Sequence, residues 1–372
     1  MAIDPANDEA LLSAAEADIR RQPPALDWAA AQLRRAVREA PIEARAYSDL
    51  GVIALLQGDR ARADRMFSVA RRLSRREAPA EAYGFASALE RADYPTAWAT
   101  LGVLLRLSPG QVRAAIPAVA AQALNQPGAL APLVALLATN PPWREELTEG
   151  LAAKPIGLKA VTELLTGLKS SRHPPTDAEA AALAEGEIAA GDYGRAYDDW
   201  RALSPWARGA APSAVYNPRF RSGGGSARFN WTIDSDGAAV VSLAAGAGGV
   251  GLRAVPTDIN DNTPLVSELL VLPPGRYRLS GLAHVRGAVS PRSTGFGWSV
   301  RCADNGQVIG QTGPISAGDR WTGFETTFTA PGGGCPGQWL DLKRLTSLNE
   351  DGAQAPAQFD RLSVSAVAMT QP

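Results

Sequence analysis

The sequence predicts a multidomain α plus β protein: an N-terminal α-α superhelix followed by a C-terminal antiparallel β-sandwich. Three observations predict it. Ala29, Ala63 and Ala97 recur at intervals of 34 residues, each inside a helical pattern, which is the signature of stacked helical hairpins. Composition then changes at Gly209, where Gly, Ser and Thr rise and alternation replaces helical periodicity. Beyond that point about ten short alternating segments follow at roughly ten-residue spacing with no helix between them, the pattern of two packed antiparallel sheets. A chain of 372 residues is long for one core, and two domains are expected, 1–211 and 212–372.

Residues 44–75 carry the clearest helical unit. Tyr47, Leu50, Gly51 and Ala54 belong to a first helix, Gly58-Asp59 interrupts it, and Ala63, Phe67 and Ala70 follow on a second. Small residues at Gly51 and Ala63 let the two backbones approach closely, and a Gly-Asp pair ends one helix and starts the next. Upstream, Trp28-Ala29, Leu33, Ala36 and Pro41 repeat the second helix. Downstream, Asp93-Tyr94, Ala97, Leu101 and Pro109 repeat it again.

This spacing resembles the tetratricopeptide repeat (TPR), with Tyr47 for its first Trp, Ala54 for its second aromatic and Arg75 for its closing Pro. The resemblance implies a scaffold whose helical repeats hold a protein partner. Peptide-binding members clamp a carboxylate with Lys and Asn on the inner face of their first helices. The matching face here offers Arg45, Ser48, Asp49, Val52, Leu55 and Leu56. That is no basic clamp, so the partner of this groove stays open.

From Gly110 the register blurs. Residues 111–125 and 128–139 read as helices, the second apolar almost all round and expected to be buried. A helix after Trp143, with acids in its first turn, and another over 159–169 follow. Residues 177–190 and 193–203 form a last pair, where Gly191-Asp192, Ala196 and Trp200 repeat the turn, small residue and aromatic of 58–67.

Strands are expected over 229–233, 239–244, 251–255, 265–272, 276–285, 295–303, 307–311, 321–329, 338–343 and 358–367. Turn signals separate them, among them Pro273-Pro274-Gly275, Asp304-Asn305-Gly306 and Ala317-Gly318-Asp319. Asn217–Phe220, Phe229-Asn230-Trp231, Pro274–Ser280, Trp321–Phe328 and Phe359–Val364 resemble successive landmarks of galactose-binding-like jelly rolls, including many carbohydrate-binding modules. The resemblance spans nearly all of 215–368 and implies that the sandwich meets a polysaccharide. It also implies a structural Ca2+ held near the first and last strands, with Asn217 and Asp360 as ligands. From residue type alone, the oxygen-rich loop with Asp258 and Asp261 is a second Ca2+ candidate, although such residues close turns anyway. No other metal or cofactor is expected.

Four tryptophans are weighed as sugar-stacking residues. Trp231, Trp321 and Trp339 sit in apolar alternation and read as core, whereas Trp298 is flanked by glycines and is the glycan-binding candidate. His173 and His284 belong to no metal or triad motif, and His284 reads as a strand surface residue. No glycine-rich phosphate loop precedes a helix, Gly223–Gly225 reading as a linker, so the chain is expected not to be an enzyme.

Two cysteines, Cys302 and Cys335, cannot make a four-ligand zinc site and are expected to form a disulfide. A disulfide implies an oxidising compartment, periplasmic or otherwise exported, and free thiols would imply the cytoplasm. The opening MAIDPANDEALL lacks a basic segment followed by an apolar core, so an exported protein would have lost its signal peptide. With 37 basic and 38 acidic residues the formal charge is −1, which gives no case for nucleic acid. No run of eighteen apolar residues supports a membrane span. The expected function is a non-catalytic exported adaptor of bacterial exopolysaccharide synthesis or secretion. The alternatives are a cell-envelope scaffold without sugar affinity and a polysaccharide-processing enzyme.

Overall fold

The computed structural model describes residues 8–107, 110–207, 214–220, 227–233, 239–247, 249–257, 263–286, 288, 291–345 and 356–367. The chain is α plus β, with helices first and antiparallel sheets after them. By contact it divides into Met1–Leu151 with Ser170–His173, and Ala152–Lys169 with Pro174–Pro372. The expected boundary at 211/212, Pro109, the linker Gly223–Gly225 and the loop with Asp258 and Asp261 all lie outside the described residues.

The first unit holds α1 (Asp8–Arg20), α2 (Leu26–Glu39), α3 (Ala44–Leu56), α4 (Arg60–Leu73), α5 (Ala78–Glu90), α6 (Tyr94–Leu107), α7 (Gly110–Leu124), α8 (Leu130–Leu137) and most of α9 (Arg144–Ala152). Helices α2, α4 and α6 start 34 residues apart, as do α3 and α5. Ala29, Ala63 and Ala97 are all fully buried. A Cβ at Gly51 would lie 2.7 Å from the Phe67 ring, so the close approach of α3 and α4 requires glycine there. The turns repeat as well. Gly58 and Ala92 both have positive φ, and the next residue caps the following helix: Asp59 accepts from Arg62 N at 2.9 Å and Asp93 from Thr96 N at 3.3 Å. Helix α8 corrects one expectation. Only Leu133 and Leu137 of it are fully buried, because the helix is eight residues long and its other faces meet solvent.

The second unit holds α10 (Leu158–Leu168), α11 (Asp177–Ala189), α12 (Tyr193–Leu203) and the sandwich. Thr176 and Glu179 form a capping box on α11. One face of α12, marked by Tyr193, Tyr197 and Trp200, packs on the strand half. Trp200 meets Tyr216 edge-on at 4.8 Å and Phe229 at 5.3 Å. Arg228 pairs with Glu185 of α11 at 2.8 Å, and a Cβ at Gly337 would strike the Tyr193 ring at 2.6 Å.

The strands are β1 (Thr232–Ile233), β2 (Ala239–Gly246), β3 (Gly249–Pro256), β4 (Val266–Leu270), β5 (Gly275–His284), β6 (Arg292–Ser293), β7 (Phe296–Cys302), β8 (Val308–Gln311), β9 (Ser316–Ala317), β10 (Thr322–Ala330), β11 (Gln338–Arg344) and β12 (Ala357–Ala366). A first sheet runs β1-β4-β11-β7-β8 and a second runs β10-β5-β12-β3-β2, with β6 and β9 forming a separate short pair. Among the described residues all strand pairings are antiparallel, and the chain passes back and forth between the two five-stranded sheets as in a jelly roll. Between the sheets lies one core that includes Leu279, Ala283, Phe296, Trp298, Val300, Leu340, Leu342 and Phe359.

Cys302 and Cys335 are bonded, as the residues implied, with Cα atoms 5.0 Å apart and a sequence separation of 33. Two outcomes follow for stability. Ala63→Leu should destabilise the helical unit by roughly 1–3 kcal/mol through overpacking, read as a fall in the denaturation midpoint. Reduction of the disulfide should destabilise the sandwich by roughly 3–4 kcal/mol in the chain-entropy description, read by denaturant titration with and without reductant.

Candidate functional site

Two of the tryptophans lie otherwise than expected, Trp298 in the core and Trp321 outside it. Trp298 is 0 % exposed, so it is not a stacking residue. It lies on β7 in phase with Phe296, Val300 and Cys302, which all face the core. Its ring meets Trp231 at 5.6 Å and Phe359 at 6.0 Å, both edge-on. The flanking glycine has a packing cause, because a Cβ at Gly297 would meet Leu345 Cδ1 at 2.3 Å and Thr312 Oγ1 at 2.9 Å. Trp231, Trp321 and Trp339 are only half-buried. Trp231 still packs against the core and donates from Nε1 to Asn217 O at 2.7 Å. Trp339 points outward because Leu340 and Leu342 point inward, and the Arg228 and Arg301 guanidinium groups lie 5.7 and 5.6 Å from its ring.

Trp321 lies outside the core and defines the candidate site. It precedes β10, and its ring stacks on His284 at 5.1 Å and 25°. On β5 the residues Tyr277, Leu279 and Ala283 face inward, so Ser280, Leu282 and His284 face outward. Strand pairing then carries the row across the sheet. His284 opposes Gln358 on β12, Gln358 opposes Arg253 on β3, and Arg253 opposes Ser242 on β2. The outer face of the second sheet therefore carries a band of Trp321, His284, Gln358, Arg253 and Ser242, each half-buried or exposed. His284 Nδ1 lies 3.0 Å from Gln358 Oε1, and its Nε2 lies 3.1 Å from the Asp319 carbonyl oxygen.

Beside the band is a shallow pocket of about 510 Å³ over Ser280, Leu282, Phe324, Glu325 and Arg361. A Cβ at Gly323, in the row between, would meet nothing within 4 Å, so the face is open there. An aromatic ring set in a row of hydrogen-bonding groups can stack on a flat, partly apolar ligand and orient its polar edge. His284 was legible as a surface residue. Trp321 was not, because its place beside His284 follows from the pairing of β10 with β5, strands distant in sequence.

The Ca2+ candidates within the described residues have other partners. Asp360 is buried and accepts from Ala247 N and from Arg361 N, both at 2.7 Å. Its carboxylate thus ties the β2–β3 turn to the bulge in β12, where Arg361 has φ +53°. Asn217 donates from its amide to Asn230 at 3.2 Å. Among the described residues no group of three or more His, Cys, Asp or Glu is placed to hold a metal.

In the helical unit the groove residues are largely engaged. Arg45 pairs with Glu16 and, at 3.0 Å, with Glu9. Ser48 is buried and Val52 packs against a core cluster. Burial and the charge of Glu16 raise the Asp49 carboxyl to about 7. The face is acidic and does not match a carboxylate clamp.

A second carboxyl of this kind is Glu187 on α11, buried beside Asp199 and Arg195 of α12 and raised to about 8, first by burial and then by the Asp199 charge. Asp192 raises it further and Arg195 lowers it, while Thr162 of α10 donates to Asp199 at 3.1 Å. Because the folded chain holds this proton above the ordinary carboxyl value of 4.5, stability should fall as pH rises from about 4.5 to about 8. Glu187→Gln should remove that part of the decline, measured as the difference between melting temperatures at the two ends of the interval.

No family model and no curated protein matches the chain. Solved structures do resemble its strand half. The CBM22-1 xylan-binding domain from Paenibacillus barcinonensis is 15 % identical, with 38 % of this chain and 87 % of that one covered and a TM-score of 0.27. A CBM4 structure is 16 % identical over 41 % of this chain and 99 % of the other, with a TM-score of 0.32. A CBM61 module in complex with β-1,4-galactotriose is 14 % identical over 42 % and 100 %, with a TM-score of 0.28. At these values the likeness carries no functional argument. The sandwich stands on its own topology.

Proposed function

We propose that the protein is a non-catalytic, exported adaptor that binds a polysaccharide on the outer face of its second sheet and a protein partner on its TPR-like helical repeats. The observation that carries the glycan reading is Trp321, half-buried, outside the core and stacked on His284 at one end of a row of hydrogen-bonding side chains that crosses the sheet. A pyranose ring has an apolar face for the indole and hydroxyl groups for Gln358, Arg253 and Ser242. Export is supported by the Cys302–Cys335 bond. Among the described residues no helix is long and apolar enough to cross a membrane. The 34-residue recurrence of helix starts, the small residue at each closest approach and the Asp-capped turns support the TPR reading. A setting in bacterial exopolysaccharide synthesis or secretion fits such a pairing of domains.

The test is calorimetric titration of the whole chain with neutral and acidic bacterial polysaccharides, beside Trp321→Ala. Loss of one buried aromatic contact should weaken binding by about tenfold or more. Trp298→Phe should leave affinity unchanged, because that ring faces the core. If no polysaccharide binds, or Trp321→Ala binds as well as wild type, the glycan reading falls. A protein-assembly scaffold then takes its place, a reading that the charged surfaces of the helical unit favour.

A further inference from the structure

A second concave site lies in the helical unit, away from the acidic face of α3. Helices α4 and α5 form a pocket of about 390 Å³ into which Arg71, Arg72, Arg75 and Arg91 converge. Two of the four are held from beneath. Glu81 is 0 % exposed, and it accepts from Arg75 Nε at 2.5 Å and from Arg71 Nε at 3.3 Å. Arg71 also donates to Thr100 Oγ1 at 3.2 Å. Gly84 makes room for this arrangement, since a Cβ there would lie 2.3 Å from Arg71 Nη1.

The other two have no carboxylate partner among the described residues. Arg72 donates to Ser68 Oγ at 3.0 Å and Arg91, the residue that follows α5, to Ser87 Oγ at 2.5 Å, each four residues back along the chain. Tyr83 forms the wall, stacked on Phe67 at 4.6 Å and donating to Asp64 at 2.6 Å. Four guanidinium groups thus face two carboxylates, Glu81 and Asp64, which leaves two positive charges uncompensated at the mouth.

We propose that this pocket binds a dianionic oxyanion group through Arg72 and Arg91, with Arg71 and Arg75 pre-oriented behind them by Glu81. Planar guanidinium forks match the paired oxygens of phosphate and carboxylate. The buried Glu81 removes the cost of ordering two of the four side chains when the ligand arrives. Two sources share this chemistry, a free phosphate group and the adjacent carboxylates of an acidic protein segment. The site is independent of the sheet face and stands whether or not a glycan binds there.

The experiment titrates the full chain by calorimetry with inorganic phosphate in one arm and an N-acetylated tetraglutamate peptide in the other, at low and at physiological ionic strength. Binding should weaken with salt and fall about tenfold or more in Arg72→Ala/Arg91→Ala, as expected for lost charge-assisted hydrogen bonds. Both residues are exposed, so the variant should keep the wild-type circular dichroism and melting temperature. Gly84→Ala should weaken binding too, by displacing Arg71, whereas Arg34→Ala on α2 should not. Binding of phosphate alone assigns the site to a phosphoryl group, and binding of the peptide alone assigns it to an acidic segment. Binding of neither, or equal binding by wild type and the double variant, overturns the proposal.

Discussion

The edge-on packing of Phe359 against Trp298 and Phe296 is the contact on which the strand half depends. Phe359 belongs to the second sheet and the other two rings to the first, so this contact joins the sheets through the centre of the core. It also sets a phase. Because side chains alternate along a strand, an inward Phe359 requires an outward Gln358. Antiparallel pairing then places His284 and Arg253 beside Gln358, with Ser242 beyond. The open band is in this sense the reverse side of the aromatic core, and a slip of one residue in β12 would exchange the two.

Where an indole is placed in this protein decides what it can do. Trp298 binds the sheets together, Trp200 binds a helix to the strand half, and Trp339 lies against two guanidinium groups. Trp321 is partly exposed and stacks on the imidazole ring of His284 at the end of the polar row. The buried carboxyls follow a similar division. Asp360 ties a turn to a bulge through backbone N–H groups, whereas burial beside other carboxylates pushes Asp49 and Glu187 up to about 7 and about 8.

The helical unit separates charge over a short distance. Glu9, Glu16 and Asp49 surround Arg45 on α1 and α3, while Arg71, Arg72, Arg75 and Arg91 gather at α4 and α5. A net charge near zero conceals both, which is why composition gave no sign of a charged partner. Arg71, Arg72 and Arg75 are close in sequence, but Arg91 follows α5, and the four gather at one pocket only when α4 and α5 pack.

By itself the sequence determined what depends on neighbours close along the chain. The 34-residue recurrence of Ala29, Ala63 and Ala97, the Gly58-Asp59 turn and the alternation of the strands act over one hairpin or one strand, so they could be read directly. The disulfide was legible too, because two cysteines allow only one pairing. Tertiary structure decided which way each strand turned, and so exchanged the expected roles of Trp298 and Trp321. A glycine next to Trp298 reads as openness in one dimension. In three dimensions Leu345 and Thr312 occupy the space that a side chain at Gly297 would need. The facing of a strand is settled by what packs on both of its sides, and those contacts come from residues distant in sequence.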